Sequence, residues 1–164
     1  MLRINGFDEI PIVPLERKTA LPHSAINMTQ DRRSRVRRTL ATRGMTEAVT
    51  FSFLPADQAD LFGGVPESIH LVNPISTDLA IMRPSILPNL IAAAGRNADR
   101  GISDVALFEV GPQYTGENPE DEAIVTAGLR VGSAMPRSWA GGARDVDVFD
   151  VKADVLVALE QIGG

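Results

Sequence analysis

The chain of 164 residues contains no cysteine. Disulfides, thiolate zinc sites and a cysteine nucleophile are therefore excluded, and a reducing, cytoplasmic setting suits the composition. Histidine occurs only at His23 and His70. Neither has a carboxylate or a second histidine at metal-ligand spacing, so both read as surface or core residues and no metal site is assigned. Aromatic residues make up 5% of the chain, so Val, Ile, Leu and Ala must fill its core. No apolar run approaches the roughly 20 residues that a membrane helix needs. The first residues, Met1 to Gly6, carry no long apolar signal region. A soluble protein without membrane contact or export is expected.

Other signatures of chemistry are missing too. Gly63-Gly64 is followed by Val65 and Pro66 rather than Lys and Ser or Thr, so it is no phosphate-binding loop. Gly141-Gly142 lacks the companions of a dinucleotide fingerprint, and no serine sits in a Gly-x-Ser-x-Gly elbow. No catalytic or cofactor-binding residue is assigned. The formal net charge of -5 argues against non-specific coating of nucleic acid but leaves room for a local basic patch.

What is present is a mixture of helix and strand. Gly6, Pro11, Pro14 and Pro22 break up the first 22 residues, which read as a linker with one or two short strands. Asp31 to Arg43 has no Gly or Pro and predicts a helix, capped by Thr29 or Asp31 and stopped by Gly44. Its apolar stripe is thin, with Val36, Leu40 and Ala41. Glu47 to Phe53 alternates as a half-buried strand, with Val49, Phe51 and Phe53 on one side. A short helix follows from Pro55 to Phe62, then a strand over Ser68 to Val72 and a turn at Asn73-Pro74. A longer helix spans Ser85 to Arg100, with Leu87, Leu90, Ile91, Ala94 and Ala98 on one face. Asp104 to Gly111 reads as a central strand and Ala123 to Val131 as another, joined by an acidic loop from Glu117 to Glu122. Ser133 to Arg144 reads as irregular. Val148, Val151, Val155, Leu159 and Ile162 predict a final amphipathic helix, capped by Asp147 and ended by Gly163. This order favours an α+β fold with a largely antiparallel sheet.

Two charged groups stand out. Asp147, Asp150 and Asp154 share a helix face and are read either as a hard-cation site or as capping and dipole-stabilising acids. Arg32, Arg33, Arg35, Arg37, Arg38 and Arg43 crowd into twelve positions of an acidic chain. They are read as a solvated helix face, a contact for RNA phosphates, or an interface with acidic groups of a partner subunit.

Five stretches together resemble the beta subunit of bacterial phenylalanyl-tRNA synthetase, in that family's order and over nearly the whole chain. They are Leu2 to Pro11; Arg38-Thr39-Leu40 through Gly44-Met45-Thr46-Glu47 to Thr50-Phe51-Ser52-Phe53; Asn73-Pro74-Ile75-Ser76 with Met82-Arg83-Pro84-Ser85-Ile86-Leu87-Pro88-Asn89-Leu90, Asn97 and Arg100; Leu107-Phe108-Glu109-Val110-Gly111; and Trp139 with Asp147 to Val155. The resemblance implies a fold similar to a class II aminoacyl-tRNA synthetase core, an antiparallel sheet flanked by helices, truncated on its C-terminal side. It implies a tail of a preceding domain over residues 1–28 and a non-catalytic, incomplete core over residues 29–164.

It also implies a role. An active class II site holds the ATP phosphate with an arginine on a strand-loop-strand motif, with an acid two positions on. In the resemblance Leu107 stands where that arginine would fall, while Glu109 is present. The chain would support assembly with a catalytic alpha subunit, in a heterotetramer that charges tRNA with phenylalanine using ATP and magnesium. No cofactor is expected in this fragment itself. Arg32, Arg35, Val36, Arg37, Leu40 and Arg43 are the candidate interface with the alpha subunit or RNA. Val49, Phe51, Phe53, Phe108, Trp139 and Phe149 are the candidate packing residues. A tRNA-binding module using the Arg32 to Arg43 helix and a catalytically active class II ligase domain are the alternatives.

Overall fold

The computed structural model describes residues 24–62, 66–135, 137–139 and 141–163, with a few positions before residue 15. Of the expected linker over residues 1–28, residues 15–23, His23 among them, and several of the first nine lie outside the described residues.

Helix α1 spans Met28–Thr42. Its cap is Asn27, not Thr29 or Asp31: the Asn27 side chain accepts from Gln30 N at 2.8 Å and the Gln30 side chain accepts from Asn27 N at 3.0 Å. This reciprocal pair satisfies two amides that the helix leaves bare. Gly44, at φ +78°, turns the chain out of the helix where a side chain would be strained. The thin stripe finds its partner surface: Val36 and Leu40 are buried against Met45, Phe108 and Val110. Burial of a side chain the size of Phe108 contributes roughly 1.5–3 kcal/mol.

Strand β1, Thr46–Glu47, pairs in parallel with the long strand β4, Val105–Tyr114. β4 pairs antiparallel with β5, Glu122–Val131, over its full length. The principal sheet therefore runs β1-β4-β5 and is mixed: largely antiparallel, as the sequence predicted, through the long β4-β5 pairing, with the short β1 added in parallel. β4 is central, as its apolar run predicted. Strand alternation points Ala106, Phe108 and Val110 towards α1, and Val105, Leu107, Glu109 and Gly111 to the opposite face.

The expected strand over Glu47 to Phe53 is broken. After β1 the chain leaves the ladder, and only Phe53–Leu54 resumes as β2, paired antiparallel with β3, Ile81–Met82. Val49 and Phe51 are 88% and 62% exposed rather than packed, and Phe53 is half-buried. The cause is polar: the amide and hydroxyl of Thr50 are bound to Glu109 instead of a neighbouring strand.

Helix α2, Ala56–Asp60, starts after Pro55. It packs Ala59 with Leu54, Ile69 and Ile81 in a second small core. The strand expected over Ser68 to Val72 is a 3-10 turn, Glu67–Ile69, followed by a single bridge from His70 to Ile81.

Helix α3, Leu87–Ala98, buries Pro88, Leu90 and Ala94. Ile91, Ala94 and Ala98 face Val105 and Val131 across a shallow cleft, which places α3 on the sheet face opposite α1. Part of the expected irregular stretch forms a small ladder of β6, Ser133–Met135, with β7, Arg144–Asp145. Trp139 lies at its tip between Ser138 and Gly141 and is 100% exposed, not packed.

Helix α4, Val148–Ile162, is capped by Asp147 and ended by Gly163, as its sequence predicted. It turns an unexpected face inward. Asp154 alone is buried, and Ala158 packs against the α1 cluster. Phe149, in the first turn and well round the helix from Asp154, is exposed. Val151, Val155, Leu159 and Ile162 line an open groove of about 490 Å³ between α4, α1 and β5. Among the described residues β5 has no strand on that edge.

Candidate interface and the absent phosphate site

The arginine run on α1 divides into paired and unpaired members. Arg35 meets Asp31 at 2.6 Å, one helical turn back. Arg37 donates from Nε to Glu47 at 2.7 Å and from Nη2 to the Val110 carbonyl at 3.1 Å, which ties α1 to both β1 and β4. Arg43 bonds Asp154 of α4. Arg32 and Arg38 are exposed and meet no carboxylate among the described residues, and the Nε of Arg33 is buried without a hydrogen bond. Val36 and Leu40 belong to this chain's own core, so they are not free for a partner. Of the six residues expected at an interface, only Arg32 projects a charge not already matched within the fold.

Two buried charge clusters escaped the sequence reading. Arg83 and Glu109 form an ion pair at 2.9 Å with side chains 1% and 3% exposed. Arg83 Nε also donates to the Pro112 carbonyl at 2.7 Å, and Nη1 donates to the Thr50 hydroxyl at 2.8 Å. The Thr50 hydroxyl in turn donates to Glu109 at 2.6 Å. A charge pair this dry persists only when nearly every donor and acceptor is satisfied. The signal for it was present in the Met82-Arg83-Pro84 and Glu109-Val110-Gly111 stretches. A Cβ on Gly111 would stand 2.7 Å from Arg83 Nη2, so glycine makes the space the guanidinium fills.

The second cluster joins three elements. Asp154 accepts from Arg130 Nε on β5 at 2.6 Å and from Arg43 at the end of α1. Arg130 also donates to the Arg43 carbonyl at 3.0 Å. Burial alone pushes the Asp154 carboxyl up, but the hydrogen bonds from Arg130 and Arg43 outweigh it and hold it below the usual carboxylate range. Asp147 and Asp150 behave as capping acids. Asp147 accepts from Phe149 N and Asp150 N, and Asp150 accepts from Asp147 N. Arg144 grips Asp150 at 2.7 Å and lowers its pKa strongly. The three aspartates are thus committed to amides and arginines. No group of three or more His, Asp or Glu fit for a metal ion occurs among the described residues.

A phosphate-binding strand-loop-strand unit needs a free cation. The unit formed by β4, its loop and β5 contains one basic residue, Arg130, at the far end from the loop and already bound to Asp154. The loop carries Glu117, Glu120, Asp121 and Glu122. On the opposite sheet face Glu109 is sealed by Arg83. Charge of this sign and arrangement repels a triphosphate.

The family described as "Phenylalanyl tRNA synthetase beta chain CLM domain" matches residues 14–164. The phenylalanine–tRNA ligase beta subunit of Paramagnetospirillum magneticum is 54% identical over 99% of this chain, and that of Rhodospirillum rubrum is 55% identical over the same share. The chain spans about a fifth of the length of these relatives, 20% in each case. Among solved structures, the pyrrolysyl-tRNA synthetase PylSc of Desulfitobacterium hafniense matches 83% of this chain and 45% of its own, with a TM-score of 0.58 at 14% identity. A histidine–tRNA ligase subunit of Alicyclobacillus acidocaldarius matches 93% of this chain and 42% of its own, with a TM-score of 0.53 at 18% identity. These two share the fold alone, that of class II synthetases. With a family match across almost all of its length and relatives at more than half identity, the chain belongs to the phenylalanyl-tRNA synthetase beta chain family, in the region of its CLM domain.

Proposed function

We propose that this chain is a non-catalytic core region of a phenylalanine–tRNA ligase beta subunit, which supports assembly with the catalytic alpha subunit. The observation that carries this reading is the lone arginine of the β4-loop-β5 unit, Arg130, held by Asp154. The unit keeps the shape of a synthetase core and lacks the charge that would hold ATP. The whole enzyme would charge tRNA with phenylalanine, using ATP and magnesium, in a heterotetramer with the alpha subunit. The outward side of α1, with Arg32 and Arg38 unmatched, supplies charge for acidic groups of that partner.

Phenylalanine-dependent exchange of pyrophosphate into ATP tests the non-catalytic part. The chain alone is expected to show none, and the alpha subunit with its full beta partner to show it. Exchange by the chain alone would establish instead that it is an active class II domain.

A further inference from the structure

Residues 53–82 form a lobe bonded within itself. Its strands β2 and β3 make a two-stranded sheet apart from β1-β4-β5. Its core of Leu54, Ala59, Ile69 and Ile81 shares no residue with the cluster beneath α1. Among the described residues, every hydrogen bond and ion pair of this stretch stays inside it. Ala59 N donates to the Pro55 carbonyl, Ile69 N to that of Pro66 and Leu71 N to that of Ala80.

The two ends of the lobe are fastened differently. On the way in, Thr50 donates from N and from its hydroxyl to Glu109 Oε2. On the way out, Arg83 Nη2 donates to Glu109 Oε1 at 2.9 Å, and the Arg83 carbonyl accepts from Tyr114 N at 3.0 Å. Arg83 N also donates to the Ser52 carbonyl at 2.9 Å, which ties the two ends to each other. One carboxylate of the central strand, that of Glu109, therefore holds both.

Leu54, Ile69 and Ile81 with one alanine are a small core for so long a stretch. By themselves they do not offset the entropy of ordering it, so the lobe is ordered because it is docked. A buried ion pair holds firmly while it is complete, and a partner that leaves strands the charge it was matched with. Such a contact is made or broken as a whole. A stretch bonded only to itself, and joined to the rest at one such contact, is the kind of element that opens as a single cooperative unit.

We infer that Arg83 and Glu109 are a latch for residues 53–82, which open and close as one unit on a sheet that stays intact. Opening parts Arg83 from Glu109 and brings that carboxylate, on the sheet face opposite α1, to solvent. The inference concerns a motion within this chain and stands apart from the assembly reading.

Amide hydrogen exchange of the full-length beta chain in its native assembly, read at single residues by mass spectrometry, tests this. The amides of Ala59, Ile69 and Leu71 are expected to share one degree of protection within about threefold, below that of the β4-β5 ladder. Glu109→Gln keeps the shape of the side chain and weakens the latch, and is expected to speed all three together by about tenfold. Thr50→Val, which removes one bond to Glu109, is the gentler variant should Glu109→Gln fail to fold, with about threefold expected. Asp154→Asn weakens the fold beside α4 and leaves the latch whole, so the three amides should stay within about twofold of wild type. Acceleration by Asp154→Asn equal to that by Glu109→Gln would mean that the lobe opens only when the whole domain unfolds, and overturns the inference. Exchange that neither Glu109→Gln nor Thr50→Val changes, or three amides that respond by unrelated factors, overturns it as well.

Discussion

Arg130 of β5 and Asp154 of α4 meet at 2.6 Å, and Asp154 is the one buried residue of its helix. An acid placed on the helix that its sequence pattern marks as amphipathic thus does the work expected of an apolar stripe. It fastens α4 to both α1 and the sheet through Arg43 and Arg130. Asp154→Asn removes the charge and leaves two guanidinium groups facing each other. The expected loss of stability is about 3 kcal/mol, read from urea denaturation. Amides of α4 should also exchange with solvent faster than those of β4 in the same variant.

The acid limb of stability follows from the same residue. The folded-state pKa of Asp154 is lowered, so the unfolded chain binds its proton more readily. Stability from this group is fully present above the unfolded value near pH 4 and is lost as pH falls through the folded value. Denaturation midpoints measured from pH 6 down to pH 3 should decline, and Asp154→Asn should flatten that decline.

Arg83 and Glu109 predict a pattern rather than a single value. Either Arg83→Met or Glu109→Leu alone strands a buried charge and is expected to destabilise by about 3–5 kcal/mol. The double substitution removes both charges and should recover most of that loss. A loss in the double variant equal to the sum of the two single losses, measured by chemical denaturation, would show that the pair does not act as a unit.

Gly111→Ala is the smallest change with a large expected effect. Its Cβ would come within 2.7 Å of Arg83 Nη2 and 3.0 Å of Glu109 Oε1. Arg83 is held by Pro112, Thr50 and Glu109 and cannot swing aside cheaply. A loss of about 1–3 kcal/mol is expected from this crowding. Gly95→Ala, where a Cβ meets nothing within 4 Å, serves as the control and should be neutral or mildly stabilising.

Much of the fold was legible because local signals agreed with one another. Gly44, Asp147 and Gly163 mark helix ends at the positions where α1 and α4 begin or stop. The apolar run at Val105 to Val110 marks the central strand. The failures share a cause, which is that periodicity registers apolarity and not the partner that uses it. Val49 and Phe51 alternate as a strand should, but Glu109, distant in sequence, captures Thr50 between them. The Val151, Val155 and Leu159 stripe looks like the buried face of α4, while Asp154 is the residue that docks. The α1 arginines form a uniform run in sequence, and only long-range partners such as Glu47 and Asp154 separate Arg37 and Arg43 from the unmatched Arg32 and Arg38. Asn27 and Gln30 could have been found, since an Asn and a Gln three positions apart before a helix form a capping pair.

Light scattering after gel filtration of this domain mixed with the alpha subunit tests the central claim most directly. The domain, shown to be folded by circular dichroism, is expected to elute with the alpha subunit at the mass of a complex. Arg32→Glu with Arg38→Glu should weaken that complex about tenfold. A folded domain that elutes alone at every concentration would contradict the account, because the assembly surface would then lie outside α1.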